Sequence, residues 1–176
     1  MFFDPIYLFG CVFDVYSINL DGSHTLSLIK DCLIKNIFIE NANLKLYVSS
    51  SNNLNIAHTE GEITNQVDSY QQPLQIDLHS SYERCVEILS DYHEDCSKII
   101  FLFTDRFNDK NQYHYEKCMI HPSLQQDSIK LIVFYLGQKA NSELCKKICE
   151  RHDAKFVYLN SKNVFKNIIK EIYVQS

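Results

Sequence analysis

The sequence predicts an α/β fold: a doubly wound, mostly parallel sheet with one antiparallel edge strand and helices on both faces. Short apolar runs alternate along the chain with segments whose apolar residues recur every three to four positions, which is typical of strand–helix units. The chain also has only 4 glycines and 3 prolines in 176 residues. That is too few for an all-β domain built from many tight turns.

The first half of the chain predicts a central strand, a helix and a hairpin. Residues 6–13 form an apolar run with β-branched and aromatic members, as in a strand buried on both faces. Residues 44–48 alternate between apolar and polar, and residues 54–57 can pair with them as the antiparallel edge. Between these segments Ser23 is a good N-cap residue for a helix. The apolar positions of this helix are Leu26, Ile29, Leu33 and Ile37.

The second half of the chain repeats the alternation of strands and helices. Ser80 and Glu83 have the spacing of a capping box, which predicts that a helix begins at Ser80. Two apolar runs, 98–103 and 129–136, predict further buried strands. A shorter strand is predicted at 156–159, and the other helices at 113–119, 144–149 and 164–172.

Length and composition limit the class of protein. We assign residues 1–176 to a single domain, because 176 residues are too few for two ordinary domains. A hydrophobic content of 45% excludes a mainly disordered chain. The net charge of −5 gives no basic field, so direct nucleic-acid binding is not expected. No apolar run reaches the roughly 20 residues of a membrane helix, so no membrane partner is expected.

The cysteines predict a reducing environment. Their number, 7, is odd, they are scattered, and no two have the CxxC spacing of a zinc site. Reduced, buried thiols are the expectation, and with them an intracellular location, cytoplasmic or nuclear. The cysteines are Cys11, Cys32, Cys85, Cys96, Cys118, Cys145 and Cys149.

Three polar positions lie where a site of a parallel sheet is expected, beyond the carboxyl ends of the strands. Asp14 follows the first strand, Ser80 and Ser81 open a predicted helix, and Asp105 follows the strand at 98–103. Side chains of this kind also cap turns, each contributing about 1 kcal/mol, and a structural role is the alternative reading of each one alone.

Taken together, these features resemble a von Willebrand factor A domain, and the resemblance covers almost the whole chain. The segments 99–106 (IIFLFTDR) and 129–172 carry it best. They are similar to the family's strand ending in Thr-Asp, its strand ending in Gly, and its closing helix–strand–helix. The resemblance implies a Rossmann-like sheet with its binding site at the carboxyl edge.

The resemblance also implies a metal-ion-dependent adhesion site that this chain matches only in part. The family uses Asp-x-Ser-x-Ser, a loop Thr and the Asp of Thr-Asp-Gly, ligands that suit Mg²⁺. Asp14, Ser80 and Asp105 match three of these positions as vestigial ligands. Tyr16 and Ile18 replace the two serines, and Arg106 replaces the Gly. We therefore expect no bound metal and no other cofactor.

The function implied is that of a non-catalytic interaction or scaffold module, a subunit of an intracellular multiprotein complex. Tyr and Arg are enriched at interface hot spots, so the altered rim is the predicted protein-binding surface. Its residues are Tyr16, Ile18, Ser80, Ser81, Asp105 and Arg106. The alternative reading of the first two is that they fill the vacated ligand space.

Two other classes of function stay open. One is a Mg²⁺-dependent adhesion-type domain, and the other is a small hydrolase on the same scaffold. A haloacid-dehalogenase-like phosphatase needs a second Asp where this chain has Tyr16. Cys118 lies near His114 and His121 in sequence, but a thiolate nucleophile needs a base in hydrogen-bond reach, which sequence neighbours seldom supply.

Overall fold

A computed structural model describes residues 7–15, 24–36, 44–49, 54–57, 62, 78–92 and 96–175. The strands are β1 (Tyr7–Asp14), β2 (Leu44–Ser49), β3 (Leu54–Ala57), β4 (Ser97–Thr104), β5 (Ile129–Tyr135) and β6 (Lys155–Tyr158). The helices are α1 (His24–Asn36), α2 (Leu78–Asp91), α3 (Gln112–Met119), α4 (Pro122–Gln126), α5 (Lys139–Arg151) and α6 (Lys162–Gln175).

The strands form one sheet in the order β3-β2-β1-β4-β5-β6. All neighbours from β2 to β6 pair in parallel, whereas β3 pairs antiparallel with β2 at the edge. The central strands are buried on both faces because helices cover both, and this explains their continuous apolar runs. The predicted α/β class with a doubly wound sheet is confirmed.

Alternate residues of the central strands divide the interior into two cores. Phe9, Phe101 and Phe134 face the side covered by α1 and α6, and the ring centroids of Phe101 and Phe134 are 5.6 Å apart. Leu8 and Val12 face the opposite side, which α2, α3 and α5 cover. This alternation follows from the two-residue period of a strand.

Gly10 lets α2 approach β1 closely. A Cβ atom at this position would overlap Sγ of Cys85 and lie 3.4 Å from the side chain of Leu89. Both of these residues belong to the buried face of α2. The missing side chain therefore sets the distance between the helix and the central strand.

Two helices differ from their prediction. α2 begins at Leu78, so Ser80 lies within its first turn and the predicted N-cap at Ser80 is wrong. α4 was not predicted, because its five residues are too short to show a helical period. It begins with a proline, and the Nδ1 atom of His121 caps it by accepting the Ser123 N–H at 3.2 Å. Among the described helices, none has the length and apolar character needed to span a membrane.

Candidate functional site

The carboxyl edge of the sheet brings Asp14 and Asp105 together, as the strand ends predict. Asp14 is the last residue of β1 and is paired in register with Thr104, the last residue of β4. The backbone N–H of Asp105 donates to the carbonyl oxygen of Asp14 at 3.3 Å. Tyr16 and Ile18, predicted for the same edge, lie outside the described residues.

The Asp14 carboxyl group is buried in a network of hydroxyl groups. Its side chain is 4% exposed, and its Oδ2 atom accepts a hydrogen bond from Thr104 Oγ1 at 2.9 Å. The hydroxyl of Tyr115, on the buried face of α3, donates to the same oxygen. Thr104 Oγ1 in turn accepts the backbone N–H of Arg106 at 3.2 Å. β1, β4 and α3 therefore meet at one carboxyl oxygen, and the loop after β4 joins the network through the Thr104 hydroxyl.

Burial and hydrogen bonding shift the pKa of Asp14 in opposite directions. Burial raises the pKa of Asp14, while the hydrogen bonds from Tyr115 and Thr104 and the charge of Arg106 partly offset that rise. Burial and the neighbouring Asp14 charge hold the pKa of Tyr115 well above its usual range. Tyr115 therefore stays a neutral phenol that donates to the carboxyl group.

The loop after β4 holds Arg106 inward. Its side chain is 5% exposed, close enough for its charge to act on Asp14. Asn111 Nδ2 donates to the Arg106 carbonyl at 2.7 Å, and Asn111 Oδ1 accepts the N–H of Asn108 at 2.8 Å. These bonds close the loop on itself. A buried Arg106 offers little surface to a partner, which corrects its predicted place on an exposed rim.

The first turn of α2 adds one half-exposed and one buried serine. Because α2 leads into the start of β4, its first turn lies at the edge where β1 and β4 end. Ser80 is half-buried there. Ser81 is buried on the face that carries Tyr82 and Cys85, so it too offers little contact surface. Of the predicted rim residues that the structure describes, Ser80 and Asp105 keep exposed surface.

Gly137 closes the edge beside Asp105. A Cβ atom at Gly137 would lie 2.6 Å from the Tyr135 hydroxyl and 2.8 Å from the carbonyl oxygen of Asp105. The Tyr135 hydroxyl donates to the carbonyl of Gln138 at 2.6 Å, and so fixes the turn that follows β5. Absence of a side chain at Gly137 thus allows this turn to pack against Asp105.

Tyr115 is the site residue that sequence reasoning missed. Tyr115, Cys118 and Met119 form the buried face of α3 at the spacing of one helical face, and this spacing was the available signal. It indicates burial of Tyr115 but carries no information on the partner of its hydroxyl, which lies 101 residues away at Asp14.

The cysteine and histidine residues of the enzyme alternative do not converge on a common point. Cys118 is buried, and burial raises the pKa of its thiol well above the usual range. His121 Nε2 lies 3.0 Å from Glu83 Oε2, and its Nδ1 atom caps α4. Both ring nitrogens thus have partners other than Cys118. Within the described ranges, no group of three or more His, Cys, Asp or Glu side chains could hold a metal ion.

No protein-family model and no curated protein sequence matches this chain. Solved structures match it in fold. A structure of proximal thread matrix protein 1 from the mussel byssus, described with a zinc-occupied MIDAS motif, has 15% sequence identity and a TM-score of 0.57. The match covers 96% of this chain and 47% of the mussel protein.

A von Willebrand factor type A structure from Catenulispora acidiphila has 9% identity and a TM-score of 0.57. That match covers 97% of this chain and 42% of the bacterial protein, so the chain spans less than half the length of either match. At such identities the likeness shows the fold alone. Together with the strand order and the polar edge at Asp14, it shows that this chain has a von Willebrand factor A-like fold.

Proposed function

We propose that this domain is a non-catalytic protein-interaction module, a subunit of an intracellular multiprotein complex, and that it works without a metal ion. The von Willebrand factor A-like fold is commonly used for protein–protein interaction. The observation that carries the proposal is the Asp14 carboxyl group, whose Oδ2 atom is already bound by the hydroxyls of Thr104 and Tyr115.

A divalent cation fits the described residues poorly. It would need an ionised Asp14, and burial adds a cost to that ionisation by raising the pKa of the carboxyl group. It would compete with two hydroxyl donors for one oxygen, next to the positive charge of Arg106. Hard cations such as Mg²⁺ take several oxygen ligands at once. The described residues contain no group of three or more His, Cys, Asp or Glu side chains that could hold one.

We expect Mg²⁺, Mn²⁺ and Zn²⁺ at millimolar concentration to leave the melting temperature unchanged. Zn²⁺ is included because the mussel structure is described with zinc in its site. An ion present at about 100 times its dissociation constant would add about 2.7 kcal/mol to the free energy of unfolding, a shift of several degrees. A shift that disappears in Asp14→Ala would contradict the proposal and favour the adhesion-type alternative.

The proposed contact surface is the carboxyl edge around Ser80 and Asp105. Tyr16 and Ile18, which follow β1 in the sequence, are included in the proposal. Ser81 and Arg106 act as positioning residues, because they are buried beneath this edge. The burial of Cys118 and the occupied nitrogens of His121 support a non-catalytic role. The free thiols of the chain support a reducing, intracellular location.

Affinity capture from the native source, in EDTA and in Mg²⁺, tests this surface. The partner should be recovered equally in both conditions and lost with the double variant Tyr16→Ala/Asp105→Lys. Lys147→Ala, an exposed change on α5, is the matched control and should retain the partner. Recovery only in Mg²⁺ would establish the metal-dependent alternative, and retention by the double variant would place the interface elsewhere.

A further inference from the structure

One face of α3 carries an apolar stripe in contact with solvent. Tyr113 and Ile120 are 59% and 60% exposed, and within the described residues they are the exposed large hydrophobic side chains. Ile120 directly follows α3, and its backbone N–H still donates to the Glu116 carbonyl at 3.0 Å. Seven positions after Tyr113, it therefore continues the same helical face. Lys117 lies between them, with its Nζ atom 4.7 Å from the centroid of the Tyr113 ring. We call Tyr113, Lys117 and Ile120 the α3 stripe.

The stripe runs into a cleft at the opposite end of the sheet from Asp14. This cleft has a volume of about 890 Å³ and lies where β1, β4 and β5 begin and α5 ends. Ile120 lines it and is thus shared between the cleft and the stripe. Apolar side chains such as Ile99 and Leu131 contribute to its lining. The α3 stripe and the cleft therefore adjoin at Ile120 and form one continuous, partly apolar surface.

The charge of the cleft is opposite to that of the whole chain. The chain has a net charge of −5, yet basic side chains outnumber acidic ones in the cleft. The basic side chains are Lys98, Lys130, Arg151 and Lys155, and the acidic ones are Asp153 and Glu171. Lys155 binds Glu171 at 2.8 Å, and Arg151 lies 3.4 Å from Glu116. Of the described charges in the cleft, Lys98 and Lys130 against Asp153 leave a small cationic excess for a ligand.

We propose that the α3 stripe and the cleft form one docking surface for an acidic segment of a partner protein that carries an aromatic or aliphatic anchor residue. Tyr113 and Ile120 supply the apolar contact, since Tyr is enriched among interface anchors and the exposed Ile120 adds apolar area beside it. The lysines select an acidic segment by charge complementarity and raise its association rate.

A second copy of this chain is a poorer occupant of this surface. A symmetric dimer brings the same patch of both copies together, so basic side chains would face basic side chains. The cleft lies at the far end of the sheet from the proposed contact edge, and the α3 stripe runs toward it from the Asp14 end. The domain would then hold two partners, or two parts of one partner, at opposite ends of the sheet.

Selection from a displayed library of random 16-residue peptides tests the proposal. The wild-type domain should enrich peptides that carry Asp or Glu together with Leu, Ile or Phe. Each enriched peptide, synthesised with a fluorophore, should bind Tyr113→Ser/Ile120→Ser at least tenfold more weakly in fluorescence anisotropy. Lys117→Glu should weaken binding too, and added salt should reduce the affinity for wild type. Ser substitutions at these exposed positions leave the core intact, which an unchanged melting temperature verifies.

Asp105→Lys is the control at the carboxyl edge and should bind the selected peptides as wild type does. Loss of binding at the proposed contact edge can therefore be distinguished from loss of binding at this surface. Lack of enrichment, or enriched peptides that bind the double Ser variant equally well, would overturn the proposal. So would concentration-dependent dimerisation of wild type in sedimentation that the double variant abolishes, which would make a second copy the occupant. Stripe-dependent binding to vesicles of anionic lipid, in place of acidic peptides, would overturn it as well.

Discussion

Asp14 and Tyr115 are 101 residues apart in the chain and meet through one buried hydrogen bond. Tyr115→Phe removes the donor and leaves the shape of the core unchanged. We expect it to lower the free energy of unfolding at pH 7 by about 1–3 kcal/mol, the cost of depriving a buried charged group of a partner. Urea denaturation of both proteins measures this loss.

The loss should depend on pH with a definite sign. The folded-state pKa of Asp14 is raised, so ionising it costs stability as the pH rises above the ordinary aspartate value of about 4. Tyr115→Phe removes a hydrogen bond that favours the ionised form and raises this pKa further. The difference between variant and wild type should shrink as the pH falls below the folded-state pKa of Asp14 in both proteins, because the carboxyl group is then protonated in each.

Two controls separate this effect from simple loss of a phenol. Tyr113→Phe changes an exposed tyrosine of the same helix and should alter stability by less than about 0.5 kcal/mol. In an Asp14→Asn background, Tyr115→Phe should cost less than it does alone. Equal costs in both backgrounds would show that the hydroxyl of Tyr115 does not act through the Asp14 carboxyl group.

For single residues, the sequence predicted the place in the fold better than it predicted the contact partners. Asp14 and Asp105 could be placed together because each follows a buried strand of a parallel sheet. The inward position of Arg106 could not be predicted, because nothing in the local sequence distinguishes a buried Arg from an exposed one. The Arg106 charge acts on Asp14, which lies beside the end of β4 only when β1 and β4 pair.

Among the elements, the approach of α2 to β1 depends on Gly10. We expect Gly10→Ala to lower the free energy of unfolding by about 1–3 kcal/mol, because the new methyl group overlaps the Cys85 thiol. Thermal or urea unfolding measures the loss. The double variant Gly10→Ala/Cys85→Ala should regain most of it, although Cys85→Ala alone also costs stability. If the double variant lost as much stability as the two single variants lose in sum, α2 and β1 would not meet as described.

The boundaries of elements were predicted with uneven success. Strands β1, β4 and β5 were clear because burial on both faces gives unbroken apolar runs. The start of α2 was misplaced by two residues, because Ser80 and Glu83 have capping-box spacing but lie inside the helix. α4 was not predicted, because a proline and a histidine cap define it and none of its five residues is buried.

For the molecule as a whole, the reactivity of the cysteine thiols tests both the fold and the expected reducing environment. All 7 cysteines are free, and all but Cys96 are buried. Burial raises the pKa of Cys85 to about 12, so this thiol stays protonated and unreactive in the folded protein. We expect few cysteines to react with a thiol reagent in the native state and 7 to react in denaturant without reductant. Fewer than five reactive thiols would contradict this expectation.

The central position of β1 has a consequence for synthesis of the chain. β1 is made first, but its neighbour β4 pairs with it across 90 residues, from Asp14 to Thr104. At about 5–20 residues per second, a ribosome needs about 5–18 s to add that length. During this interval one edge of an eight-residue strand, every residue of which is buried in the folded protein, has no native partner. Such an edge is a template for aggregation, so the nascent chain should depend on chaperones until β4 emerges.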